Sequence, residues 1–261
     1  MKYYFSLFAL FFCGVVYCQS VRMIGTGNSS FCTNGNTLDA KVNPANLNSL
    51  ENISFFANPY KFELTELSSY ELSYNRNIRF IDFGTRFSVY GFDLYKEFTF
   101  GLTLARCITN SLKAGININY HRVTIKNYGS DGSVSLDLGL NYFLNNYLSF
   151  GFSWVNFNNA SICSDNIDQE INFGISLLPL ENLTLFSRIE KNILFKTNLN
   201  FGLELLIDGM FSFRAGINTN PEMLFTGLGV KYYNTNFDYA ISYHNVLGFS
   251  HFFSLSWDFE N

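Results

Sequence analysis

The residues able to do chemistry in this chain are few and far apart. Imidazole for acid–base work or metal ligation comes only from His121, His244 and His251, and none of them accompanies a serine elbow, a phosphate-binding glycine loop or a dinucleotide fingerprint. His244 and His251 flank one short segment and would meet across a hairpin, which suits a turn-stabilising or lumen-facing role better than metal binding. Cys13 and Cys18 lie in the first apolar run, leaving Cys32, Cys107 and Cys163, an odd number at wide spacing with no CxxC pair. Three separate thiols are expected, with one disulfide as the alternative in an oxidising compartment. No catalytic, cofactor-binding or metal site follows from these residues.

What remains is charge at a fixed parity. Glu71, Arg86, Lys113, Asp137, Arg188, Glu190, Glu204, Arg214, Lys231 and Asp238 fall in step with small and polar neighbours, while apolar residues occupy the positions between. Successive side chains of a strand point to opposite faces, so such a pattern gathers charge on one face of a sheet. Ion pairs are expected there, because charges removed from water need partners. Arg188, Glu204 and Arg214 fall on consecutive strands and are expected to form one lumen network that braces the wall, with lining of a passage as the alternative.

The elements that must carry this face repeat from about Ser54 to the C-terminus. In the last, Phe249, Phe253, Leu255, Trp257 and Phe259 take one parity and Ser250, Ser254, Ser256 and Asp258 the other. Segments of roughly ten residues with this alternation, parted by turn residues, are the pattern of a transmembrane β-barrel. About fourteen strands are predicted, the first a short one over Ile53–Ala57, and all are antiparallel. Tight connections at Thr109–Ser111, Asn145–Asn146, Glu181–Asn182, Asp208–Gly209 and Asn234–Asn236 alternate with longer ones, including 126–132 and 156–169. Short periplasmic turns and longer external loops would place both chain ends in the periplasm. At Asp208–Gly209 a two-residue turn would put Phe211 and Phe213 on the wrong face; a three-residue connection running from Ile207, with Gly209 left-handed, restores the parity.

Composition agrees: aromatic residues make up 18% and charged residues 15%, the latter below the roughly 25% of a soluble domain. A net charge of -4 gives no footprint for nucleic acid. Lys2 ahead of the apolar run from Phe5 to Val16 reads as a signal peptide over residues 1–18, because the run is shorter than the roughly 20 residues of a spanning helix. Residues 19–51 lack alternation and form an expected hatch, the only segment available to fill a barrel of intermediate size, and residues 52–261 form the barrel. Within the hatch, Asn43 is placed to cap a short helical turn opened by Pro44.

Two stretches resemble known families. Asp39 to Leu47, containing Asn43, Pro44, Ala45 and Leu47, resembles the Asn-Pro-Ala signature of FadL-type outer-membrane proteins and of the PorV-type group associated with type IX secretion. The C-terminal stretch, with Asp238, Tyr239, His244, Gly248 and His251, resembles the PorV-type group more specifically. The resemblance implies an integral protein of the bacterial outer membrane with lipid as its neighbour. In the PorV-type reading, taken first, the chain is a non-enzymatic accessory that meets secreted proteins or secretion-machinery subunits. In the FadL-type alternative it moves small hydrophobic molecules from an external groove to the lateral membrane. An outer-membrane enzyme is a third class and requires a serine–histidine pair in reach.

Overall fold

The computed structural model describes Ser20–Phe259, so the expected signal peptide over residues 1–18 lies outside the described residues. Fourteen strands close on themselves in chain order, each antiparallel to its neighbours, and the first pairs with the last. They are β1 Asn52–Tyr60, β2 Ser69–Ile78, β3 Ile81–Phe92, β4 Tyr95–Cys107, β5 Leu112–Ile125, β6 Gly129–Phe143, β7 Leu148–Val155, β8 Glu170–Leu180, β9 Leu183–Asn192, β10 Asn198–Ile207, β11 Phe211–Thr219, β12 Glu222–Tyr232, β13 Thr235–His244 and β14 Gly248–Asp258. Closure leaves no unpaired sheet edge, the condition for a sheet to stand in hydrocarbon.

The parity of the sequence sorts the two faces. On β14, Phe249, Leu255 and Trp257 point outward and are 42, 50 and 48% exposed, whereas Ser250, Ser254 and Ser256 point inward and are buried. Along β4, outward positions run Lys96, Phe98, Phe100, Leu102, Leu104, Arg106. The ten residue steps from one cation to the other span about 34 Å of strand, which a tilt near 40° projects to about 26 Å, the height of the apolar band of an outer-membrane barrel.

Two connections differ from the expectation. The segment 126–132 is not a loop: Gly129–Gly132 continue β6 and pair with Arg122–Ile125, leaving Lys126–Tyr128 as the turn. The first strand is longer than Ile53–Ala57 because it runs through Pro59, which sits where the β1–β14 register shifts between Ala57 and Tyr60; a bulge is where a strand tolerates a residue without an N–H. The longest connection, 156–169, folds into a two-residue ribbon pair, Ser161–Ile162 with Asp165–Asn166. Its Ala160, Ile162 and Ile167 pack on Val123 of the inner wall, so the loop bends over the mouth.

At the β10–β11 turn, Ile207 pairs with Phe211 across Asp208–Met210, and Asp208 and Gly209 have φ of 52° and 68°. A Cβ on Gly209 would meet nothing within 4 Å, so only backbone conformation opposes substitution there. Gly209→Val should therefore cost about 1–2 kcal/mol, and Gly209→Asn, an amide that tolerates the left-handed region, much less. The urea midpoint at which the heat-modifiable band unfolds on a gel measures both.

Residues 20–47 lie inside the barrel, and Ser49 and Leu50 are exposed where the segment leaves it. Ser20 caps a helix, α1 (Val21–Gly25), by accepting from the Met23 amide at 3.1 Å. Two single turns follow, Asp39–Lys41 and Pro44–Asn46, the second capped by Asn43 through Ala45 N–H. Val21, Ile24 and Leu38 pack against the inward Phe56, Phe225 and Ala240, with Met223 and Phe252 at the margin. The barrel thus has a small apolar core inside a largely polar wall.

Candidate functional site

Two cross-strand glycine pairs give the internal segment its seats. Gly115 of β5 faces Gly139 of β6, and a Cβ on Gly115 would stand 2.6 Å from the Pro44 carbonyl carbon. Gly202 of β10 faces Gly216 of β11, and a Cβ on either would fall on the Thr26 backbone. Without side chains at these places, main chain packs directly on main chain.

Hydrogen bonds then fix the segment on every side. Asn141 of β6 accepts from Asn43 Nδ2 and donates to Asn46 Oδ1, both at 2.8 Å. Asn117 of β5 donates to the Ala40 and Lys41 carbonyls at 3.1 Å. Lys113 donates to the Leu47 carbonyl and pairs with Asp82 at 2.8 Å. Lys41 pairs with Glu71 at 3.3 Å. Of the expected signature, Asn43 is a cap and a strap, Pro44 and Ala45 sit against the first glycine pair, and Leu47 anchors Lys113 and packs with Ala40 and Ala105.

Arg188, Glu204 and Arg214, expected in one network, divide between two clusters. Glu204 bridges Arg214 at 2.7 Å and Arg22 of α1 at 2.6 Å, and Arg214 also pairs with Asp238 at 2.5 Å. Arg188 stands apart, bonding Glu170 at 2.7 Å, Glu190 at 3.3 Å, Asn172, and the Asn28 carbonyl at 3.1 Å. The reason is register. Arg188 lies opposite Asn200 while Glu204 lies opposite Thr184, and four residues along a strand are about 13 Å. Each cluster holds one part of the internal segment. The Glu204 carboxylate keeps the Arg22 guanidinium well above its ordinary pKa, and burial pushes the Asp39 carboxyl up against the pull of Arg22 and of the Ser20 hydroxyl bonded to it.

The C-terminal residues do separate jobs. Asp238 belongs to the Arg214 cluster. Tyr239 Oη and His251 Nδ1 lie 2.8 Å apart on the outer face, a polar pair that satisfies itself against lipid. His244 Nδ1 accepts from the Val246 and Leu247 amides at 3.1 and 3.2 Å and so stabilises the turn, and Gly248 follows with φ of 83°. His244 and His251 therefore do not meet across the hairpin: they take opposite parities, His244 opposite Gly248 and His251 opposite Ile241.

His121 does have a serine within reach, Ser135 at 2.8 Å, with Thr99 at 3.0 Å on its other nitrogen. The adjoining space is only about 20 Å³, room for about one water and none for a substrate carbonyl. Cys32 is buried, with its thiol pushed up to about 12 by desolvation, while Cys107 and Cys163 are exposed, and all three are free.

Two cavities flank α1, and a third of about 560 Å³ lies at the mouth among Asp168, Glu190, Phe195, Lys196 and Asn220. Toward the chain termini opens a polar cavity of about 510 Å³, lined by Arg22, Asp39, Glu204, Arg214 and Asp238 among others. Toward the opposite mouth lies a cavity of about 290 Å³ whose floor is Ile24, Phe56, Met223, Phe225 and Phe252. Arg22 faces the first and Ile24 the second. Parity reading missed this apolar floor because it assigns apolar residues outward. The signal available was aromatics out of step, Phe56, Phe225 and Phe252, at inward positions.

No protein-family model and no curated protein matches this chain. Among solved structures, it is similar to the CymD monoaromatic hydrocarbon channel (TM-score 0.73, 11% identity, covering 95% of this chain and 99% of that one). It is also similar to the toluene transporter TodX of P. putida (TM-score 0.69, 10% identity, 94% and 100% covered) and to a FadL homologue of Pseudomonas aeruginosa (TM-score 0.61, 12% identity, 93% and 98% covered). The barrel has the fold of FadL-type outer-membrane channels. The likeness extends over the whole described chain and carries fold, not substrate. It gives no support to the PorV-type resemblance or to type IX secretion.

Proposed function

We propose that this barrel sits in the bacterial outer membrane and admits small hydrophobic molecules from the external side through the apolar cavity above α1. That cavity is the observation that carries the reading. A pocket that sets an apolar floor beside a limited number of placed polar groups is how proteins hold small hydrophobic ligands. FadL-type architecture supports the same reading, since structures bearing it include a monoaromatic hydrocarbon channel and a toluene transporter.

A straight path to the periplasm is closed by α1 and its ion pairs. The wall beside the cavity is weaker. Asn58 lines the cavity, Pro59 follows it, and the β1–β14 register shifts there. Pro59 has no N–H to give the ladder, so a ligand leaving sideways into lipid would part fewer bonds here than elsewhere. The secretion reading finds little to stand on, because several mouth connections, such as Lys126–Tyr128 and Asn245–Leu247, are short turns with small external surface. We also read the chain as non-enzymatic, from the absence of substrate space at His121.

The test is uptake of the fluorescent apolar probe N-phenyl-1-naphthylamine by cells with and without the protein. Expression should raise the uptake rate, and Met223→Trp, which fills the cavity from β12, should return it to background. Equal rates with and without the protein would overturn the proposal.

A further inference from the structure

The apolar cavity carries polar groups that the barrel leaves partly unsatisfied, although Ser250 Oγ accepts from the Phe62 amide at 2.9 Å. Asn58 is 2% exposed, lines the cavity, and its Oδ1 has no hydrogen-bond partner in the protein; Asn28 Oδ1, on the same cavity, is also without one. Asn58 lies opposite Ser69 in the β1–β2 ladder, and Ser242 lies opposite Ser250 in the β13–β14 ladder. All four line the cavity above the floor of Ile24, Phe56, Met223, Phe225 and Phe252. The result is an apolar base under a neutral polar collar.

We infer that the ligand of this cavity is a small apolar molecule with a single neutral hydrogen-bonding head, of the phenol or alkanol class, in place of a bare hydrocarbon or a carboxylate. This rests on the uptake reading above and names its substrate class. A buried carboxamide oxygen without a partner costs the free energy of its lost hydration. A hydrocarbon in the cavity leaves that cost standing. The Asn58 oxygen is itself shielded, so a hydroxyl removes the cost once the amide turns toward the cavity and, being both donor and acceptor, it suits either orientation of that amide. A carboxylate is the poorer match because the collar consists of amides and hydroxyls. The one cation on the lining, Lys61, has its ammonium over the Phe62 ring at 5.7 Å, at the rim. Sites built around a hydrogen bond to a hydroxyl discriminate against analogues that lack it far more strongly than apolar pockets discriminate by size.

p-Cresol and p-xylene share a shape and differ by hydroxyl against methyl, which makes them the probes. Their affinities for the purified barrel held in amphipol are read by calorimetry. Asn58→Leu, which keeps the side-chain volume and removes the orphan oxygen, should weaken p-cresol about tenfold and leave p-xylene unchanged or tighter. Ser242→Ala should weaken p-cresol by a smaller factor and serves if the Asn58 variant fails to assemble. If wild type binds both probes and the ratio of their affinities stays the same in the variants, hydroxyl recognition is wrong while the uptake reading stands. If wild type binds neither, the uptake reading falls and takes this inference with it.

Discussion

Replacing Gly216 with valine should turn the closed barrel into a conducting pore. Gly216 faces the lumen opposite Gly202, and the Thr26–Gly27 peptide lies directly on it. A Cβ there meets the Thr26 carbonyl and the Gly27 nitrogen, both main chain, so no side-chain rotation relieves the clash. Gly27, at φ of 66°, is itself packed on the Gly216–Ile217 main chain, which limits how far it can move aside. Overpacking of a tight contact costs about 1–3 kcal/mol, and backbone against backbone belongs at the upper end. The strand itself is not harmed, because valine suits a pleated wall better than glycine, so the barrel should still assemble. What gives way is the seat of α1, the element that separates the two cavities. A cylinder of fourteen strands is wider than the eight that side chains alone can fill, so displacing the segment should open a water path. Single-channel recording in a planar bilayer should show steps for Gly216→Val and for a deletion of residues 25–50, and silence for wild type. Silent bilayers with Gly216→Val, alongside steps with the deletion, would mean that the turn shifts without releasing the segment.

The second large effect is expected at Arg188. Its side chain is 1% exposed and holds Glu170, Glu190, Asn172 and the Asn28 carbonyl, with the Phe31 ring 5.3 Å from the guanidinium. Arg188→Met keeps the length and removes the charge, leaving two carboxylates facing each other without a cation. Breaking a buried ion pair from one side costs about 3–5 kcal/mol. Glu190 is 23% exposed and keeps some hydration, which places the loss toward the lower end. The urea midpoint of the heat-modifiable band should fall accordingly. Adding Glu170→Gln and Glu190→Gln should recover most of the loss, since a neutral hydrogen-bonded set substitutes for an ionic one at small net cost. A single variant as stable as wild type would show that lumen water, not Arg188, compensates these carboxylates.

Much of the barrel was legible in the linear pattern. Phe249, Leu255 and Trp257 point outward, the Ile207–Phe211 register holds with Gly209 left-handed, and Asn43 caps the turn that Pro44 opens, each a consequence of local rules. Such rules reach over a few residues. The helix at Val21–Gly25 escaped notice because its five residues are too short to show a period, and it is held by Glu204 and by the Phe56, Phe225 and Ala240 core, far away in the chain.

The alternation of apolar and polar residues, along with the positions of turn formers, was enough to require a lipid-facing antiparallel cylinder of about this size, because strand parity and the cost of unpaired backbone in hydrocarbon leave few other structures. It was not enough to say which inward residues meet. Strand register separates Arg188 from Glu204 by about 13 Å and puts His244 and His251 on opposite faces. The cavity above α1 likewise exists only because the internal segment docks on two glycine pairs, leaving Ile24 beneath three inward aromatics from distant strands. Parity is a property of neighbours along the chain, whereas a binding site is a property of neighbours across the lumen.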